Sequence, residues 1–198
     1  MPSTTATLRS SKAPSLRSTS KSRRAPNVAR DIKAKMARLV RLAKRSGAQD
    51  IKAIGPATVF TATWVRLKCQ YGCGGYGGCL TCPPHSPTPE TTRKLLDEYS
   101  TILLVHFAGW RDVRSAIAKL ERAAFLDGFY KAFGIASGPC HLCDECNLES
   151  CVHPREARPS MEACGIDVYK TARTNGFPID VCRTRESEQN YYGLLLVE

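Results

Sequence analysis

Eight of the ten cysteines in this 198-residue chain fall into two tight groups, and that spacing constrains the fold more than any other feature. The first group is Cys69, Cys73, Cys79 and Cys82, and the second is Cys140, Cys143, Cys146 and Cys151. Thiols two or three residues apart, in loops rich in Gly and Pro, point to a bound metal or an iron–sulfur cluster. The chain must therefore fold so that two loops wrap around thiol sites, with regular elements placed between them.

The second group reads Gly138-Pro139-Cys140-His141-Leu142-Cys143-Asp144-Glu145-Cys146. This C-x2-C-x2-C run is similar to the cluster-binding loop of bacterial ferredoxins. Each cysteine of a cubane holds a different iron, so the thiolates must spread around a bulky group. A single zinc instead needs four sulfurs at about 2.3 Å from one ion, usually supplied by two separate knuckles. Three cysteines in one short loop suit a cluster better. The ferredoxin run continues x3-Cys-Pro, whereas here four residues separate Cys146 from Cys151. Cys151 could close this cluster or bind a second one, and Cys164 is the spare candidate. Zinc and free redox thiols remain alternatives.

In the first group Cys69-x3-Cys73-x5-Cys79-x2-Cys82 is threaded by Gly72, Gly74, Gly75, Gly77 and Gly78 and followed by Pro83-Pro84. Glycine lets the backbone turn sharply and bring N–H groups close to sulfur, which stabilises negative charge on a cluster. A cluster, a zinc staple and a thiol pair of Cys79 with Cys82 all fit this spacing. His85 and His153 follow cysteines closely and could serve as ligands or donors, or be plain loop residues. His106, in an apolar run, reads as a satisfied core histidine, and Cys182 as a small buried hydrophobe.

Charge separates the tail from the domain. Lys and Arg exceed Asp and Glu by a net +11, and residues 1–50 carry that whole excess, with thirteen basic and two acidic residues. The remainder is neutral, so no nucleic-acid face is expected on the domain, although the tail could touch nucleic acid. Residues 1–30 have no acidic residue and little to bury, and read as a disordered basic tail. Residues 31–198 read as a single cysteine-rich metal-binding domain. No apolar run approaches the roughly 20 residues that span a bilayer, and no secretory signal is visible. A cytoplasmic protein with no membrane span is expected.

Between the loops, Asp31 is placed to cap a helix over residues 32–46, ended by Gly47. Val59–Arg66 reads as a strand. Thr88-Pro89-Glu90 starts a helix that ends near Tyr99. Ile102–Phe107 reads as a buried strand, and a long helix follows from Asp112 to about Tyr130. Phe125, Phe129 and Phe133 share a stripe and read as core. Lys131–Ser137 is a short strand, Asp167 caps a helix ended by Gly176, and Phe177–Cys182 and Gly193–Val197 are closing strands. The sum is an α/β fold, or α+β, with a mixed sheet of about five strands, packed helices and two Cys-rich loops. Arg158, Glu162 and Asp167 could line a pocket beside Cys164, or be caps and ion pairs.

Lys68-Cys69-Gln70-Tyr71-Gly72-Cys73, Tyr76-Gly77 and Cys82-Pro83-Pro84 resemble the first signature of the family called predicted metal-binding protein (domain of unknown function 2284). Gly138-Pro139-Cys140 through Cys146-Asn147-Leu148, with Arg158-Pro159-Ser160-Met161-Glu162-Ala163, resemble its second signature, and Asn190-Tyr191-Tyr192-Gly193 its closing strand. The resemblance covers about residues 60–198. It implies a prokaryotic, cytoplasmic protein with a cysteine-ligated metal. The family's first signature has cysteines at the positions of Cys69, Cys73 and Cys82, and Cys79 lies outside it. A centre with three cysteines would leave one iron open to a small ligand, which favours catalysis over electron transfer.

The leading expectation is thus an iron–sulfur protein of the 4Fe–4S type, with one or two clusters, that exchanges electrons with a redox partner protein. The alternatives are an enzyme or activator with an open-coordination cluster, and a zinc-stapled interaction module. No Ser/His/Asp arrangement, phosphate loop or dinucleotide fingerprint is present.

Overall fold

Ile102–Ala108 (β2) is apolar on both faces, so it has to lie inside a sheet covered on both sides. The computed structural model, which describes residues 25–109 and 111–198, shows this arrangement. Four antiparallel strands run in the order β1-β2-β4-β3, with β1 at Asp50–Ile54, β3 at Phe133–Ile135 and β4 at Asn190–Leu196. Ile102 stands opposite Leu196, and Ala108 opposite Asn190. Side chains alternate along the strands. Leu103, Val105, Phe107 and Leu195 point to the face covered by α1 (Ala25–Arg45) and α4 (Val113–Leu126). Ile102, Leu104, Tyr192 and Leu194 point to the opposite core, which holds Leu96 of α3 (Pro89–Asp97) and Val168 and Ala172 of α5 (Val168–Thr174).

The helix starts follow local chemistry. Thr88, Asp112 and Asp167 each accept a hydrogen bond from the backbone three residues on, capping α3, α4 and α5. Chain termination is equally local: Gly128 and Gly176 take positive φ just past α4 and α5. Helix α4 lies very close to the sheet. A methyl group built on Gly134 would stand 2.5 Å from Ile117 Cγ2, and one on Gly193 would stand 2.7 Å from Ile117 Cγ1. Two strand glycines therefore form the hollow that seats Ile117.

The α/β class holds, but the sheet has four antiparallel strands rather than about five mixed ones. Val59–Arg66 is not a strand. A 3-10 turn over Pro56–Thr58 leads to α2 (Thr63–Gly72), and packing overrides the β-branched composition. Phe177–Cys182 buries Phe177 and Ile179 but joins no ladder, because Pro178 lacks an N–H and Arg173 takes the Ile179 carbonyl. Strand β1 escapes a hydrophobicity reading because it is a charged edge strand whose only buried residue is Ile54.

Other expectations are also corrected. Helix α1 begins at Ala25 rather than 32, so residues 25–30 of the expected tail are helical, and Asp31 pairs with Lys35 at 2.8 Å instead of capping. The rest of the expected disordered tail, residues 1–24, lies outside the described residues. Phe125 lies on α4 outside its buried face and is exposed, while Phe129, beyond the helix end at Leu126, is buried, so the three do not share a stripe. Cys182 is exposed, its thiol 3.7 Å from the Glu188 carbonyl, not a buried hydrophobe. Among the described residues no helix is long and apolar enough to cross a membrane.

Candidate metal centre

The end of β3 and the start of β4 share one end of the sheet, and both cysteine loops gather there. The loop after β3 is held open by two devices. Ala136 pairs with Ser160, with Ala136 N–H bonded to the Pro159 carbonyl at 2.7 Å and Met161 N–H bonded back to Ala136 at 2.9 Å. Arg158 then grips Glu121 of α4 through two bonds of 2.5 Å, and Glu121 also accepts from Gly134 N–H. Residues 137–158 form a closed loop between these clamps, and Gly138 begins it at φ +71°.

The first cysteine loop is tied down by Arg66. Its guanidinium donates from Nη1 to Ser86 Oγ at 3.0 Å, to the Pro87 carbonyl at 3.0 Å and to the Ala163 carbonyl at 2.8 Å. Val65 is buried beneath α2. Cys69 follows one turn later and Cys73 closes the helix, so a single helix end presents two thiols. The Cys69 thiol contacts the Glu162 carbonyl at 3.9 Å.

The thiols do not sort as the sequence groups them. Cys79 leaves its neighbours and joins Cys140 and Cys146 of the other loop. Cys79, Cys140, Cys143, Cys146 and Cys151 line one recess, together with His153. Leu80 N–H points at Cys146 Sγ at 3.5 Å, and the Thr81 hydroxyl lies 3.3 Å from Cys79 Sγ. Burial opposes ionisation of Cys79, but the bonds from the Thr81 hydroxyl and N–H and from the two thiols prevail, and its thiol is held below the ordinary value.

Cys69, Cys73 and Cys82 remain as a second set. All three line a cavity of about 770 Å³. Gly75 packs against two of them: a methyl group there would lie 3.5 Å from Cys82 Sγ and 3.8 Å from Cys73 Sγ, and 3.9 Å from Pro139 of the other loop. Burial, then the neighbouring Cys79 and Cys73, push the Cys82 thiol up to about 11. Burial, then Cys73 and Glu162, also raise Cys69. The two sets meet at one tight turn, closed by Cys82 N–H on the Cys79 carbonyl at 2.9 Å.

Cys164 joins neither set. It is buried in the core beside Met161 and Ile166, and burial pushes its thiol up to about 12. His85 is exposed, and His106 is a core histidine, bonded to Asn190 at 2.6 Å and stacked on Tyr192. Arg158 is an ion-pair residue, while Glu162 and Asp167 both line the cavity and Asp167 also caps α5. Sequence reasoning gave the remaining cavity wall no role: Tyr76, Tyr191 and Tyr192 entered only as parts of the family signatures, and Trp64 and Tyr169 carry no local signal.

The donor set fits a thiolate-held group: sulfur predominates at both sites, with a backbone N–H and a hydroxyl set against sulfur and a glycine packed against two of the thiols. Among the described residues, no three His, Cys, Asp or Glu side chains converge so as to hold a single metal ion. The sequence pattern of the family described as "Predicted metal-binding protein (DUF2284)" matches residues 52–197. No curated protein and no solved structure matches the chain.

Proposed function

The chain belongs to the DUF2284 family of predicted metal-binding proteins, and on that premise we propose that it is an iron–sulfur redox protein with two unlike centres. Cys79, Cys140, Cys143 and Cys146, with Cys151 as a further thiol of the same recess, hold a closed centre. Cys69, Cys73 and Cys82 hold an open one. The observation that carries this reading is the transfer of Cys79 across the sequence groups, which gathers five thiols at one site and leaves three at the other.

When bound, clusters of this kind take up and release single electrons, and an iron lacking a protein thiolate can hold a small ligand. The protein supplies the surroundings. The 143–151 loop is mostly exposed, so the closed centre lies where a redox partner protein can approach. Cys82 is buried against the cavity, so the open centre faces that cavity. The Cys79–Cys82 turn gives electrons a short path between the two. Clusters held by these thiols would supply one-electron chemistry between a partner protein and a small molecule in the cavity, in the cytoplasm where thiols stay reduced.

The test is to purify the full chain without oxygen and count iron, sulfide and zinc. Brown protein with about eight iron and about eight sulfide per chain, bleached by dithionite, is the expected result. Reduction should give two interacting paramagnetic signals. Colourless protein carrying one or two zinc ions would overturn the reading.

A further inference from the structure

The cavity beside Cys69, Cys73 and Cys82 has a chemistry of its own. Its size lies within the roughly 300–1,000 Å³ of small-molecule sites. The wall is mostly apolar, with Trp64, Tyr76, Tyr191 and Tyr192 among its aromatic members. One polar group there is unsatisfied: the Oε2 atom of Glu162 is enclosed and has no hydrogen-bond partner. A buried carboxyl oxygen without a donor costs free energy that folding alone does not recover. Nearby groups do not relieve it. Ser86 Oγ donates to the Ala163 carbonyl, Arg66 is spread over Ser86, Pro87 and Ala163, and the Ser160 hydroxyl, which accepts from Ala163 N–H and stands beside the Glu162 carboxyl, leaves Oε2 without a partner.

We infer that the cavity binds a small aromatic or otherwise apolar molecule carrying one N–H or O–H donor, which bonds to Glu162 Oε2. The aromatic wall takes the body of the ligand, and the carboxyl orients it against the three thiols. An amine gains additionally from the aromatic faces. The role of this ligand as reactant rests on the function proposed above, whereas its binding depends only on the cavity and Glu162.

The experiment is calorimetry on the anaerobically purified full chain with four naphthalene probes: 2-(aminomethyl)naphthalene, 2-naphthalenemethanol, 2-methylnaphthalene and 2-naphthoate. Either donor-bearing probe should bind about tenfold or more tightly than the methyl compound, in line with one net hydrogen bond. The amine outranking the alcohol identifies an ion pair, and equal affinities identify a neutral donor; both support the inference. Glu162→Leu should remove the preference while 2-methylnaphthalene still binds. Glu162→Gln, which keeps the volume, should remove the advantage of the amine over the alcohol if that advantage exists. Equal binding of donor and methyl probes to the unaltered protein overturns the inference, as does tightest binding of the naphthoate. Iron counted on the same sample separates the two readings. Donor preference without iron leaves the cavity assignment standing and sinks the redox function, and iron without preference does the reverse.

Discussion

Cys79 shares a recess with Cys146, a residue of the other cysteine group, while Cys82, three positions on, sits with Cys73 against Gly75. One four-residue turn therefore belongs to both thiol sites. Cys79→Ser should lower the iron content by about half, as expected for the loss of one of two equal cubanes, and spare the spectrum of the other centre. Cys82→Ser should remove the complementary signal. Iron counts with electron paramagnetic resonance on both variants check this, and identical residual spectra would contradict the partition.

Gly75 has room for a methyl group only in contact with two sulfurs and Pro139. Gly75→Val should fill the space between the loops and prevent loading at Cys69, Cys73 and Cys82. Thermal stability of the metal-free protein should change little, since no buried contact of the sheet is touched. Iron per chain beside a melting curve reads both effects.

Arg158 and Glu121 form a largely shielded ion pair that also holds Gly134 N–H. Removing one partner strands the other, at a cost of about 3 kcal/mol for such pairs. Glu121→Ala should show this in chemical denaturation, and should also loosen the 137–158 loop enough to speed loss of iron to a chelator.

Burial raises both Cys69 and Cys82, the latter to about 11, so both thiols carry protons at neutral pH. Metal binding must release those protons. Affinity of the metal-free protein for Co²⁺ should therefore strengthen as pH rises, by up to about tenfold per pH unit for each proton released. Thiolate-to-cobalt absorbance at about pH 6.5 and about pH 8.5 measures the slope. The slope should be shallower in Cys82→Ser, and a flat profile in the unaltered chain would contradict the assignment.

Ile117 sits in the hollow made by Gly134 and Gly193. Gly193→Ala should destabilise the fold by about 1–3 kcal/mol through overpacking. Pairing it with Ile117→Val should recover part of that loss, which a double-mutant cycle by denaturation would show.

What the sequence determined alone was local. The caps at Thr88 and Asp167, the glycine that ends α5, and the buried run of β2 each act over a few residues, so each was readable in place, whereas α4 stops at Leu126 before Gly128 and not near Tyr130. The eight clustered thiols were equally plain, because ligand spacing is itself a short-range property. The tertiary structure decided what depends on distant partners. Val59–Arg66 has strand composition, yet its packing makes part of it helix and so puts Cys69 and Cys73 on one helix end. Cys79 sits among Cys69, Cys73 and Cys82 in sequence, but a turn and the second loop carry it to Cys140 and Cys146. The cavity wall joins residues from α2, α5 and β4, and no single segment encodes it. Spacing specifies which residues can bind metal; only the packing of loops against the sheet end specifies which of them share a site.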